Sequence, residues 1–91
     1  EHASLHNCNC AAGNEIDGQV CDSVLGSNIT IEEGAVVKDC VIMNNVVIEK
    51  GASVEYAIID RDVRICAGAK VGGDKEQTEL TVIAAGTTVE K

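Results

Sequence analysis

The side chains in this sequence suited to proton transfer, nucleophilic attack or metal binding are two histidines, His2 and His6, and five cysteines, Cys8, Cys10, Cys21, Cys40 and Cys66. Their spacing promises little chemistry. The cysteines form an odd set with no Cys-x-x-Cys pair and no regular ligand spacing, which argues against zinc; they read as free, reduced thiols of a cytoplasmic protein. Cys8-Asn9-Cys10 is the one place where a metal or redox role stays open. Both histidines precede the regular part of the chain and read as surface residues of its start. Gly72-Gly73 is the only adjacent glycine pair, and no phosphate-binding glycine pattern surrounds it. No residue is therefore assigned a catalytic role.

The elements that position these side chains follow from composition and repetition. Ninety-one residues make one small domain, at a size where an ordinary globular core is only marginally sufficient. Tyr56 is the sole aromatic residue, so the interior must be built from Val, Ile, Leu and Ala. Fifteen acidic residues against seven basic ones give a formal charge of −8, which opposes non-specific binding to nucleic acid or an anionic membrane. No run of about 20 apolar residues is present to span a bilayer as a helix. The first residue is Glu1 rather than Met, which suggests a piece of a longer chain.

Four phrases open on an aliphatic residue and reach a glycine three positions later: Ile31-Glu-Glu-Gly, Ile48-Glu-Lys-Gly, Ile65-Cys-Ala-Gly and Ile83-Ala-Ala-Gly. A second column, Val20, Val37, Val54 and Val71, advances by 17 residues at each step. Two columns in one register mark a solenoid, in which each coil buries its apolar side chains only against its neighbours. Each coil divides into three short sides, the third of them, Met43 to Val47, one residue short. Alternation along extended segments then predicts five inward columns. They are Ile31, Ile48, Ile65 and Ile83; Ala35, Ala52, Ala69 and Thr87; Val20, Val37, Val54 and Val71; Val24, Val41 and Ile58; and Ile29, Val46 and Val63. Gly34, Gly51, Gly68 and Gly86 hold one corner, and Asn28, Asn45 and Asp62 another, because these residue types best tolerate left-handed backbone angles.

At this point the sequence resembles the hexapeptide-repeat family, whose pattern Ile31-Glu-Glu-Gly-Ala-Val fits. The resemblance implies an all-β fold: a left-handed parallel β-helix of about five coils of 17–18 residues over 1–91. Most members are acyltransferases that use a histidine at a subunit boundary. This chain offers only His2 and His6, too few for the three zinc ligands of the hexapeptide carbonic anhydrases.

Longer phrases are more specific. Gly18-Gln-Val-Cys-Asp-Ser-Val-Leu-Gly26, Glu33-Gly-Ala-Val-Val-Lys-Asp-Cys-Val-Ile-Met43, Asn45-Val-Val-Ile48 and Ala57-Ile-Ile-Asp-Arg61 resemble the C-terminal domain of the glucose-1-phosphate adenylyltransferase (ADP-glucose pyrophosphorylase) family. The resemblance implies a parent enzyme making ADP-glucose and pyrophosphate from ATP and glucose 1-phosphate for glycogen or starch synthesis. Its N-terminal nucleotidyltransferase domain, with its Mg²⁺, lies outside this sequence, and this domain needs no cofactor of its own. The alternatives are a hexapeptide acyltransferase, or the C-terminal domain of another sugar-nucleotide pyrophosphorylase.

Two surface expectations accompany that resemblance. Alternation places Leu25, Ile42 and Ile59 outward, near Val36 and Val47, as an apolar strip facing a partner: the catalytic domain or like subunits. Arg61, Arg64 and Lys70 are placed to meet an anionic sugar-phosphate or nucleotide effector, or else to balance Asp60, Asp62 and Glu55 in solvent. The segment from Gly72 to Leu80, where the resemblance implies a longer loop with arginines in some members of that family, has one Lys and no Arg.

Overall fold

The computed structural model describes residues 4–91, so His2 lies outside the described residues. Fifteen short strands follow one another. They are β1 (Ser4–His6), β2 (Asn9–Cys10), β3 (Glu15–Ile16), β4 (Gln19–Cys21), β5 (Val24–Leu25), β6 (Thr30–Ile31), β7 (Val36–Lys38) and β8 (Val41–Ile42), then β9 (Val47–Ile48), β10 (Ser53–Glu55), β11 (Ala57–Ile59), β12 (Arg64–Ile65), β13 (Lys70–Gly72), β14 (Thr81–Ile83) and β15 (Thr88–Val89). Every third strand joins the same sheet, all pairings are parallel, and each of three sheets has five strands. Sheet 1 is β1-β4-β7-β10-β13, sheet 2 is β2-β5-β8-β11-β14, and sheet 3 is β3-β6-β9-β12-β15. The chain therefore winds as a three-sided parallel β-helix, the left-handed hexapeptide solenoid that the repeat implies.

The central coils keep the 17-residue step: Val20 pairs with Val37 and Val37 with Val54, while Ile31 pairs with Ile48 and Ile48 with Ile65. Both ends depart from it. Ser4 pairs with Gln19 and Glu15 with Thr30, a 15-residue step, because only Asp17 and Gly18 link β3 to β4 where four residues link β6 to β7. Gly18 fits there because a Cβ would lie 2.5 Å from the Ala35 carbonyl oxygen. At the far end Ile58 pairs with Val82 and Arg64 with Thr88, a 24-residue step that loops out Gly73 to Leu80. This loop shifts two expected columns. Ile83 stacks on Ile59 rather than Ile65, whose partner is Val89. Thr87 takes the place above Val63, its carbonyl accepting from the Arg64 N–H, and Gly86 follows Asp62 rather than Gly68.

Left-handed angles mark all three corners. Gly34, Gly51 and Gly68 (φ 82°, 70° and 74°) turn sheet 3 into sheet 1, and Asn28, Asn45 and Asp62 (φ 60°, 60° and 58°) turn sheet 2 into sheet 3. The third corner, between sheets 1 and 2, consists of Asp22, Asp39 and Tyr56 (φ 51°, 56° and 53°).

That third corner overturns part of the expected core. The other two corners take two residues each and preserve the in–out alternation. This one takes a single residue, so Val37 is followed inward by Cys40 and Ile42, not by Val41. Leu25, Ile42 and Ile59, expected outside, are therefore buried at 2 %, 1 % and 0 % exposure. Val24 and Val41, expected inside, are 47 % and 39 % exposed, and Ile58 beside them is half-buried. The odd step that makes the coil 17 residues long sits at this corner, not in Met43 to Val47. The remaining columns are as expected: Ile31, Ile48 and Ile65; Ala35, Ala52 and Ala69; Val20, Val37, Val54 and Val71; and Ile29, Val46 and Val63 are all buried.

Candidate docking face

Ser23, Cys40 and Ala57 are the small buried residues just past the single-residue corner. Little room exists there, because the chain turns inward within one residue of the preceding strand. Ser23 Oγ donates to the Cys21 carbonyl (2.7 Å) and accepts from the Cys40 N–H (3.1 Å), tying two coils together. Cys40 Sγ donates to the Lys38 carbonyl at 3.2 Å, and burial pushes its thiol pKa up to about 11. A thiol so placed is inert filler. Cys8 holds the same place one coil earlier, with Sγ 3.2 Å from the carbonyls of His6 and Val20. Cys10 is exposed, and its thiol is raised by partial burial and by the neighbouring Cys8. All five cysteines are free. Among the described residues no three His, Cys, Asp or Glu side chains are grouped so as to hold a metal ion.

The three outer faces differ in chemistry. Sheet 1 presents Gln19, Val36, Ser53 and Lys70 in one row and His6, Cys21, Lys38 and Glu55 in the next. Sheet 3 presents Glu15, Thr30, Val47, Arg64 and Thr88, with Glu32 and Glu49 beside them. Those glutamates bind the solenoid itself: Glu32 Oε1 accepts from the Lys50 N–H (3.2 Å) and Glu49 Oε1 from the Ala67 N–H (3.0 Å). Sheet 2 alone carries a continuous apolar row, Val24, Val41, Ile58 and Val82, in direct register. Val82 is 65 % exposed, and Met43 adds an exposed thioether at the edge of the row.

An apolar face is therefore present, but one residue out of phase with the expected strip. Val36 and Val47 do project outward, from sheets 1 and 3 respectively, and neither joins the row on sheet 2. The adjacent apolar pairs Val24-Leu25, Val41-Ile42 and Ile58-Ile59 concealed the phase. The small residues Ser23, Cys40 and Ala57 were the available signal, since an inward residue at that position requires the residue two further on to point inward too.

The basic trio is distributed around one turn of the prism. Arg61 stands at the corner between sheets 2 and 3, 3.9 Å from Asp62. Arg64 lies on sheet 3, ion-paired with Glu49. Lys70 lies on sheet 1, past the Gly68 corner. The fold gives each arginine an acidic partner and sets Lys70 on a different face. A further cation, Lys75 of the looped-out segment, reaches back to Asp39 at 3.6 Å and pins that loop against the single-residue corner.

The family of GlmU-like C-terminal hexapeptide domains matches residues 1–89, nearly the whole chain. The chain belongs to that family. No curated protein matches it. The match agrees with the three-sided parallel winding described above. In this hexapeptide domain the single-residue corner turns Val24, Val41 and Ile58 outward on sheet 2, with Asn9 below the row and Val82, past the eight-residue loop, above it.

Proposed function

We propose that this hexapeptide domain is the non-catalytic C-terminal assembly and regulatory domain of a glucose-1-phosphate adenylyltransferase, the enzyme that joins ATP and glucose 1-phosphate into ADP-glucose and pyrophosphate for glycogen or starch synthesis. The observation that carries the reading is the ordered run of phrases from Gly18 to Arg61, above all Gly34-Ala-Val-Val-Lys-Asp-Cys-Val-Ile-Met43, within a chain matched along residues 1–89 by a C-terminal domain family. The inward side chains of the central coils support a scaffold, since they are aliphatic or are small residues bonded to backbone.

On this reading nucleotidyl transfer and its Mg²⁺ belong to a preceding domain, in a cytoplasmic oligomer. The β-helix contributes contacts to that domain and to like subunits. Arg61 and Arg64 are the residues offered to a sugar-phosphate or nucleotide effector, with Lys70 set apart on sheet 1. Binding there has to displace Asp62 and Glu49 from the two arginines.

A second reading is the C-terminal domain of a different sugar-nucleotide pyrophosphorylase or a hexapeptide acyltransferase. The GlmU-like description of the matching family favours it. The test is to assay the full-length protein with each nucleoside triphosphate and sugar 1-phosphate in turn, and separately with acetyl-CoA. Pyrophosphate release with ATP and glucose 1-phosphate above all other pairs is the expected result. Preference for another pair, or acyl transfer, overturns the first reading in favour of the second.

A further inference from the structure

We infer that Cys8 and Cys10, on the inward side of the first coil, form a two-thiolate site for a soft metal ion of the Cu(I) class. The inference stands apart from the reading of the parent enzyme, because it uses no residue of the effector set and no part of the nucleotidyl-transfer reaction.

Cys10 pairs in register with the inward Leu25, and Cys8 lies below Ser23, whose column continues through Cys40 and Ala57. The two thiols therefore leave the same side of one extended segment, with Asn9 between them pointing outward. That segment is held to the coil above. The Asn9 N–H donates to the Ser23 carbonyl (3.2 Å), and the Ala11 N–H donates to the Leu25 carbonyl (3.1 Å). Among the described residues β2 pairs with β5 alone, so the other side of the thiol pair is open to an incoming ion. The remaining cysteines form no such pair. Cys40 is buried, Cys21 lies on the outer side of sheet 1, and Cys66 follows β12 on sheet 3.

Spacing then selects the ligand. Two residues of extended strand advance about 6.6 Å. A disulfide needs its Cβ atoms about 3.5–4.5 Å apart, so the hydrogen-bonded strand opposes one. Two metal–sulfur bonds of about 2.3 Å, set opposite each other, span about 4.6 Å, which the thiols reach by turning about χ1. No third His, Cys, Asp or Glu is grouped with them among the described residues, which leaves tetrahedral zinc short of ligands. Thiolates favour soft ions such as Cu(I), which takes two sulfurs in line. The other inward residues of this coil that pair in register, Leu5 and Ile16, are apolar. Binding releases both thiol protons and turns Cys8 Sγ away from the His6 and Val20 carbonyls. The His6 carbonyl keeps the Asp22 N–H as a donor.

The experiment titrates Cu(I) itself, anaerobically and against a chromogenic Cu(I) chelator, into the full-length protein. The same titration is run on Cys8→Ser, Cys8→Ala and Cys10→Ser, with Cys21→Ser and Cys66→Ser as controls. Ser23 and Ala57 fill the place of Cys8 in later coils, so both substitutions there suit the fold. Circular dichroism without metal checks each variant, and C8A and C10S carry the test if C8S fails to fold. Expected is one tightly bound equivalent fewer in each variant at Cys8 and Cys10, with C21S and C66S equal to the unmodified protein. Retention of that equivalent in C8A or C10S overturns the proposal. So does its loss in C21S or C66S, which places the ion elsewhere, and so does an unmodified protein that takes no Cu(I) from the chelator. None of these outcomes depends on the nucleotidyl-transfer assay.

Discussion

Val41 and Ile42 are neighbours of similar size and hydrophobicity, yet one is 39 % exposed and the other 1 %. The same holds for Val24 and Leu25 one coil below. The difference lies in neither side chain. It is set by Asp39 and Asp22, whose left-handed backbone turns the chain in a single residue and so reverses which neighbour faces the core. In this solenoid an apolar residue is core or surface according to a corner two or three residues before it.

The contrast breaks most visibly by truncation. Ile42→Ala removes buried methyl groups from a column that continues through Leu25 and Ile59, and should cost about 2–5 kcal/mol. Val41→Ala removes exposed ones and should stay within about 0.5 kcal/mol. Urea denaturation midpoints of the two variants compare them directly. Equal losses would mean that the two columns are not separated as core and surface.

A second contrast concerns the first residue past that corner. Cys40 is 2 % exposed, and burial raises its thiol to about 11 from an ordinary value near 9. The folded state holds its proton more tightly than the unfolded state, so the stability this supplies is fully present below about pH 9 and is lost as pH rises toward 11. The loss should approach about 2–3 kcal/mol. Cys40→Ala should flatten this dependence at little cost at pH 7, since Ala57 fills the same place in the next coil at 1 % exposure. Melting temperatures between pH 8 and 10.5 check it. In the same range Cys10, exposed at the first coil, should react with a thiol reagent well before Cys40.

How much of this was legible in the sequence depends on the corner. The glycine corner at Gly34, Gly51 and Gly68 and the Asn/Asp corner at Asn28, Asn45 and Asp62 announced themselves by residue type, and the columns counted from them are buried. The third corner did not, because Tyr56 is an unusual occupant of left-handed space. The runs Val24-Leu25, Val41-Ile42 and Ile58-Ile59 also erase the polar–apolar alternation that would reveal phase. The ends were hidden for another reason. An 18-residue interval from Ile65 to Ile83 imitates one more coil, whereas the structure loops out Gly73 to Leu80 and sets Ile83 above Ile59. The basic residues were visible as types, but their distribution over two sheets and a corner depends on coil geometry that composition does not carry.

The smallest effect bears on the cause of the contrast itself. Tyr56 holds φ at 53°, where Asp22 and Asp39 stand in the coils below. A left-handed residue with an ordinary side chain costs about 1–2 kcal/mol, and Asn escapes part of that cost through local hydrogen bonding. Tyr56→Ala and Tyr56→Asn both remove the half-buried ring, but only the second suits the corner. Asn should therefore be more stable than Ala by about 1 kcal/mol at this position, measured as a difference in denaturation midpoint that cancels the common loss of the ring. At Glu55, a strand residue one step earlier, the same pair of substitutions should show no preference for Asn, because no left-handed angle is required there. A preference for Asn confined to position 56 would identify the backbone of that single residue as what sends Ile58 outward and Ile59 inward. Equal stability of the two variants at 56 would shift the cause to the packing of the small residues Ser23, Cys40 and Ala57.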